Sequence, residues 1–299
     1  MGPRLKAYFQ LCRPANLPTA AADIIAGISI AGLFAHLDAF QLPVVGSFLF
    51  IPLILASVFL YAGGVVLNDV FDIEIDKVER PERPIPSGVV PLGNARAFGF
   101  VLLFIGIGLA FLVNNICGIV SVFLAISILS YDKFAKHHAF FGPLNMGICR
   151  GLNLFMGISL LNGYGQWPYV LVPIVFIFAV TMVSRGEVHG KNKGNIIVAG
   201  LLYVAVLLGV YYLHCVYAEG SLWYLLFLGL FAFMVFRPLI RAYKENTPIN
   251  IKKAVKAGVL SIILLDAALA VAHANIIIGL VVLLLLPLSM YLAKQFAVT

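Results

Sequence analysis

NDVFDIEIDKVERPERPIPSG, residues 68–88, follows directly on an apolar run long enough to cross a bilayer. Asp69, Asp72 and Asp76 stand three and four residues apart, so a helix carries them in one narrow stripe with Asn68 at its border. Carboxylates crowded at the end of a membrane helix repel one another and resist dehydration, and a cation must compensate them. Oxygen donors with no nearby His or Cys favour Mg²⁺ over zinc or copper. Magnesium held by a few carboxylates completes its octahedron with water and substrate phosphate. Lys77, Arg80 and Arg83, just downstream, bring positive charge to the same anion. The residues point to a Mg²⁺–diphosphate site at a membrane surface, with Asp69, Asp72 and Asp76 as metal ligands and catalytic groups. A solvated acidic loop with helix-capping carboxylates is the plainer alternative.

The rest of the chain supports a membrane setting. Of 299 residues 62% are hydrophobic and 11% charged, with a mean hydropathy of +1.03, which excludes an ordinary soluble globular protein. Runs able to span a hydrocarbon core of ~30 Å fall near 16–36, 47–68, 95–113, 115–131, 140–161, 168–185, 195–217, 221–238, 254–272 and 275–293. Charge placement tests that count. Lys and Arg cluster at 4–13, 77–96, 133–136, 185–193, 237–256 and 294, whereas 37–46, 114, 162–167, 218–220 and 273–274 contain none. Strict alternation of basic and non-basic connections implies an even number of crossings with both termini cytoplasmic, in the inner or plasma membrane of a bacterium. The net charge of +7 then reflects topology and diphosphate binding, with no case for nucleic acid.

The first apolar run is too long for a signal-peptide core and no convincing cleavage site follows it, so it reads as a retained helix. Gly2 lacks a Ser or Thr at position 6, which argues against myristoylation. Cys12, Cys117, Cys149 and Cys215 are scattered without a CxxC pair and read as small apolar residues. The expected architecture is therefore one all-α integral membrane domain over residues 1–299, with nine to ten transmembrane helices around a lipid-open cavity.

Residues 68–88 also resemble the first Asp-rich motif of the UbiA superfamily of intramembrane prenyltransferases, NDxxDxxxD followed by RPxPSG. Asn68, Asp69, Asp72 and Asp76 match the first part; Arg83, Pro84, Pro86, Ser87 and Gly88 match the second. The resemblance implies Mg²⁺-dependent transfer of a prenyl group from an isoprenyl diphosphate to an aromatic or other hydrophobic acceptor, among membrane lipids. It implies that Asn68 and Arg83 bind substrate, and that Tyr131 and Lys136, in SYDKFAKHH, contact the diphosphate, with Lys133 an alternative donor. It also implies nine spans, which leaves 275–293 as an additional helix. A dry, aromatic-rich chamber, drawn from 23 Phe and 12 Tyr, would delay capture of an allylic carbocation by water.

Arg150 lies in the middle of a predicted span, flanked by Asn145 and Asn153. A guanidinium at that depth needs an anion, whether Asp23, Asp266 or a bound acidic group. The three polar residues are candidates for substrate binding, with a buried structural ion pair as the alternative. Asp23 itself suits either a structural or a substrate role. The resemblance weakens at residues 183–195, VSRGEVHGKNKGN, where a second DxxxD-like motif is expected. Ser184 and Val188 occupy the expected acid positions, leaving Glu187 as the one carboxylate, among Arg185, His189, Lys191 and Lys193. Glu187 is the candidate catalytic acid of this loop, and Arg185 and His189 are candidate substrate contacts. The SRGEVHG wording is similar to a UbiA-like subgroup encoded with the Ebo gene cluster. The altered loop and additional helix also fit a non-catalytic or repurposed protein that binds or transports a hydrophobic metabolite.

Overall fold

The computed structural model describes residues 2–34, 47–161, 164–187, 190–218 and 222–296. Its α-helices are α1 (Pro3–Leu11), α2 (Leu17–Ile30), α3 (Phe50–Phe71), α4 (Ile73–Glu79), α5 (Leu92–Val113), α6 (Asn115–Ser130), α7 (Phe141–Ile158), α8 (Leu171–Ser184), α9 (Lys193–Tyr217), α10 (Tyr224–Lys244), α11 (Pro248–His273) and α12 (Ile276–Gln295). Each of the ten predicted runs contains an α-helix among the described residues. Nine of them, among the described residues, are long and apolar enough to cross a membrane. The tenth, α2, has 14 described residues, and the last two positions of its predicted run, 35 and 36, lie outside the described residues. The chain is a multi-pass integral membrane protein.

Helix boundaries follow local chemistry. Pro3, Pro18 and Pro248 sit in first turns, where a missing N–H costs nothing. Asn114 makes the tight α5–α6 corner: its Oδ1 accepts from the amides of Ile116 (2.9 Å) and Cys117 (2.7 Å). Its Nδ2 donates to the carbonyls of Ser159 and Leu160, which ties that corner to the end of α7. A polar amide thus satisfies orphan backbone groups where no charged residue is present.

Helices α2 and α11 form the centre, and α2 is buried along almost its whole length. Neighbours α3, α5, α6 and α7 enclose one side, while α7, α8, α9 and α10 enclose the other. Glycine makes the central contact possible. A Cβ on Gly27 would lie 2.4 Å from the Leu154 carbonyl oxygen, and one on Gly157 would lie 2.7 Å from that of Ile24. Backbones of α2 and α7 therefore touch, with no room for side chains. The additional helix α12 packs against α2 and α11, its Ser289 hydroxyl donating to the Ala15 carbonyl. Phe9 stacks on Phe296 at 6.0 Å, so the first and last helices meet at one end of the bundle.

The basic connections gather at that same end. Arg13 pairs with Asp69, Lys136 with Asp72, Arg185 bonds the His138 carbonyl, and the Asn192 amide donates to Asn246 at 2.7 Å.

The α2–α7 contact makes a direct prediction. Gly27→Val should destabilise the detergent-solubilised protein by about 3 kcal/mol or more, the upper range for overpacking. Gly108→Ala, at a site with open space in the interior of α5, should leave the melting temperature unchanged or raise it slightly. Thermal melts followed by size-exclusion chromatography would read both.

Candidate active site

The three aspartates do not share one straight helix, contrary to the sequence expectation. Helix α3 ends at Phe71, Asp72 leaves helical geometry at φ −89° and ψ 7°, and α4 restarts at Ile73. Their side chains consequently go different ways. Asp69 Oδ1 meets Arg13 Nη2 at 2.5 Å and Arg83 Nη1 at 3.2 Å, Asp76 Oδ2 meets Arg83 Nη1 at 2.7 Å, and Asp72 Oδ1 meets Lys136 Nζ.

The RPxPSG segment explains how Arg83 gets there. Its prolines restrict the backbone, Gly88 takes φ +78°, and the Val90 amide donates to the Pro84 carbonyl at 2.9 Å. This closed turn folds back under α3 and leaves Arg83 only 9% exposed, beside Asp69 at 6% and Asp76 at 4%. Its neighbours behave differently. Lys77 pairs with Glu74 at 2.7 Å on the surface, and Arg80 is exposed near Glu187.

On the facing side, α6 runs into a π-helical turn, Tyr131–Ala135. Wider turns of this kind re-aim side chains and recur at functional sites. Here Tyr131 and Asp132 line the central cavity and Lys136 reaches Asp72. Asp132 was not singled out from sequence. It is 4% exposed, and its Oδ1 accepts from Asn68 Nδ2 at 2.8 Å. The only signal for it was adjacency to Tyr131.

The cavity itself is about 360 Å³ and lies between α2, α3, α6, α7, α8 and α11. Arg13, Asn16, Asn68, Tyr131 and Asp132 line it together with Thr181 and Ser184, while Leu124, Ile128, Ile177, Val180, Val259 and Ile262 supply apolar wall. The expected aromatic-rich chamber is instead largely aliphatic. Tyr61 and Tyr131 are its aromatic lining among the described residues, without Phe or Trp. Aromatic bulk packs elsewhere, for example Phe176 against Phe231 and Tyr203 in the helical core.

Arg150 also lines the cavity, and Asp23 is its anion. Nε lies 2.9 Å from Asp23 Oδ2, an ion contact not aligned as a hydrogen bond, and Nη2 donates to the Thr19 carbonyl at 2.6 Å. Asn153 donates to the same Asp23 oxygen at 2.8 Å and to Ala20, and accepts from Ser57. This network pins α2, α3 and α7 together below the cavity. Asn145 lies outside the cavity lining and accepts from the Cys149 thiol.

Of the described residues in the 183–195 loop, Ser184 alone lines the cavity. Arg185 is exposed and bonds the His138 carbonyl. Glu187 is half-buried within electrostatic reach of Lys252 and Arg80; burial holds its carboxyl above the ordinary pKa, against the pull of both cations. Val188 and His189 lie outside the described residues.

The UbiA prenyltransferase family signature matches residues 26–185. The chain belongs to this family. It is 33% identical over 209 residues to a digeranylgeranylglyceryl phosphate synthase of Sulfurisphaera tokodaii, covering 69% of this chain and 71% of that one. A synthase of the same description from Methanococcoides burtonii is 39% identical over 170 residues, 56% of this chain and 59% of the relative. The fold of this UbiA-family chain also matches solved structures. A digeranylgeranylglyceryl phosphate synthase superposes with TM-score 0.68 at 23% identity, over 91% of this chain and 99% of the other. A UbiA homolog from Archaeoglobus fulgidus bound to GPP and Mg²⁺ gives TM-score 0.62 at 12% identity, over 89% and 100%.

A divalent cation suits the donor set. Asp69, Asp72 and Asp76 each spend one carboxylate oxygen on a protein cation and keep the other outside those ion pairs. The remaining donors are hard oxygens. No three acidic, His or Cys side chains converge as a ready-made metal cluster among the described residues, so binding requires some of these pairs to exchange.

Arg83 is the residue on which two buried acids depend. Arg83→Leu should cost about 3 kcal/mol, as for breaking a buried ion pair from one side. Adding Asp76→Asn should recover much of that loss in thermal melts. Equal losses in the single and double variants would show that the ion pair is not its source.

Proposed function

We propose that this protein transfers a prenyl group from an isoprenyl diphosphate, with Mg²⁺, to a hydrophobic acceptor in the membrane. The observation that carries this reading is the cavity's polarity. Arg13, Tyr131 and Asn68 lie beside the acidic end of α3, and Leu124, Ile128, Ile177, Val180, Val255, Val259 and Ile262 give the cavity a continuous aliphatic stretch, with Arg150 already paired to Asp23. An amphiphile with a charged head and a hydrocarbon tail suits that gradient.

As the allylic C–O bond breaks, negative charge grows on the leaving diphosphate. Arg13, Arg83, Lys136 and the Tyr131 hydroxyl are donors suited to that charge. Arg83 Nε is buried without a partner among the described residues and has a donor to spare. Asp69, Asp72 and Asp76, with Asn68, would hold the cation. Bound Mg²⁺ supplies further positive charge to phosphoryl oxygens. The aliphatic wall keeps water from the allylic cation while the acceptor attacks and gives up its proton. The relatives from Sulfurisphaera tokodaii and Methanococcoides burtonii are digeranylgeranylglyceryl phosphate synthases, which makes a prenylated glyceryl phosphate the first acceptor to assay, beside phenols. The alternation of basic connections supports an orientation with both termini cytoplasmic.

The test is Mg²⁺-dependent release of pyrophosphate by purified protein, with geranyl, farnesyl or geranylgeranyl diphosphate and both acceptor types. Wild type should form a prenylated lipid, and Asp72→Asn should lower turnover about a hundredfold or more while still inserting. No pyrophosphate and no product under any combination would favour binding or transport of a hydrophobic metabolite.

Tags on either terminus should be accessible only from the cytoplasm. A tag reached from outside at the C-terminus would remove α12 from the set of spanning helices.

A further inference from the structure

Of the first motif, Asn68 lines the cavity, whereas Asp69, Asp72 and Asp76 sit just outside the lining in their ion pairs, and the 183–195 loop brings no acid to it either. Ser184 reaches the cavity, but its hydroxyl donates to the Thr181 carbonyl at 2.8 Å. Glu187 is outside the lining, near Lys252 and Arg80. Asp132 is the acid that does line the cavity.

We infer that Asp132 is the opposing carboxylate of this site, and that a divalent cation is held between it and the Asn68–Asp72 end of α3. This rests on the prenyl diphosphate reading given above. Two features of Asp132 carry it. Its Oδ1 accepts from Asn68 Nδ2 at 2.8 Å, which links it to the first motif directly. Its Oδ2 is buried and has no hydrogen-bond partner among the described residues. Burying an unpartnered carboxylate oxygen is costly, and a structural tether to Asn68 needs only one acceptor. A hard cation is the partner that an orphaned carboxylate oxygen fits. Asp72 and Lys136 lie within electrostatic reach of Asp132, so the second motif's missing charge is replaced from the turn after α6. The π-helical geometry there carries Tyr131 and Asp132 to the same cavity, and one short segment thereby offers both a phosphoryl donor and a cation ligand.

The experiment uses full-length protein in nanodiscs, Mn²⁺ as the metal and geranyl S-thiolodiphosphate as an inert donor, with bound Mn²⁺ read by electron paramagnetic resonance. Asp132→Asn keeps the shape and an acceptor for Asn68 but removes the charge. It should weaken Mn²⁺ binding by about tenfold or more, with an unchanged or higher melting temperature. Asp132→Ser, a smaller side chain, should lose affinity in the same way and serves if the first variant fails to fold. Affinity unchanged in Asp132→Asn, or lost in Glu187→Gln in its place, overturns the assignment. Asp72→Asn separates the two levels of the argument. If it abolishes Mn²⁺ binding while Asp132→Asn does not, the Asp132 assignment alone fails. If wild type binds no Mn²⁺ with the analogue, the prenyl diphosphate reading fails with it.

Discussion

Negative charge buried at the end of α3 is the constraint around which the cytoplasm-proposed end of the molecule is built. Asp69 and Asp76 are almost fully enclosed, where an uncompensated carboxylate is costly. Arg13, before α2, and Arg83, in the turn after α4, compensate them, while Lys136, after α6, pairs with the less buried Asp72. Each ion pair also holds a loop against α3. Charge neutralisation and loop placement are one structural act here.

The second organising feature is deeper and mostly steric. Gly27 and Gly157 let α2 and α7 meet at backbone contact, and Arg150, Asp23, Asn153 and Ser57 lock that junction with polar contacts beneath the cavity. Arg150 is therefore already neutralised by Asp23. Its exposure to the cavity leaves it a wall residue with a built-in counter-ion, which differs from a free cation waiting for an acidic acceptor.

Much of this was legible in the chain. Each predicted span contains a helix among the described residues, because hydropathy and helical length are local properties that a bilayer reads one segment at a time. The Asn68–Gly88 motif was legible for a similar reason: its residue types and spacings are close in sequence. Asp132 was not. Its role depends on the π-helical turn and on how near α6 comes to α3, and neither is encoded in local spacing. The 23 phenylalanines misled the reading of the chamber, since composition counts aromatic rings without saying which face of a helix they occupy.

Sequence by itself determined the membrane class, the helices, the acidic motif and the family resemblance. Tertiary structure decided which cation meets which carboxylate, that Arg150 belongs to Asp23, that Glu187 stays outside the cavity lining and that Asp132 enters it. The physical reason is range. Helix formation and membrane partitioning are governed by neighbours along the chain. Ion pairing and cavity lining depend on approaches between residues such as Asn68 and Asp132, which are 64 positions apart and are brought together only when the bundle closes.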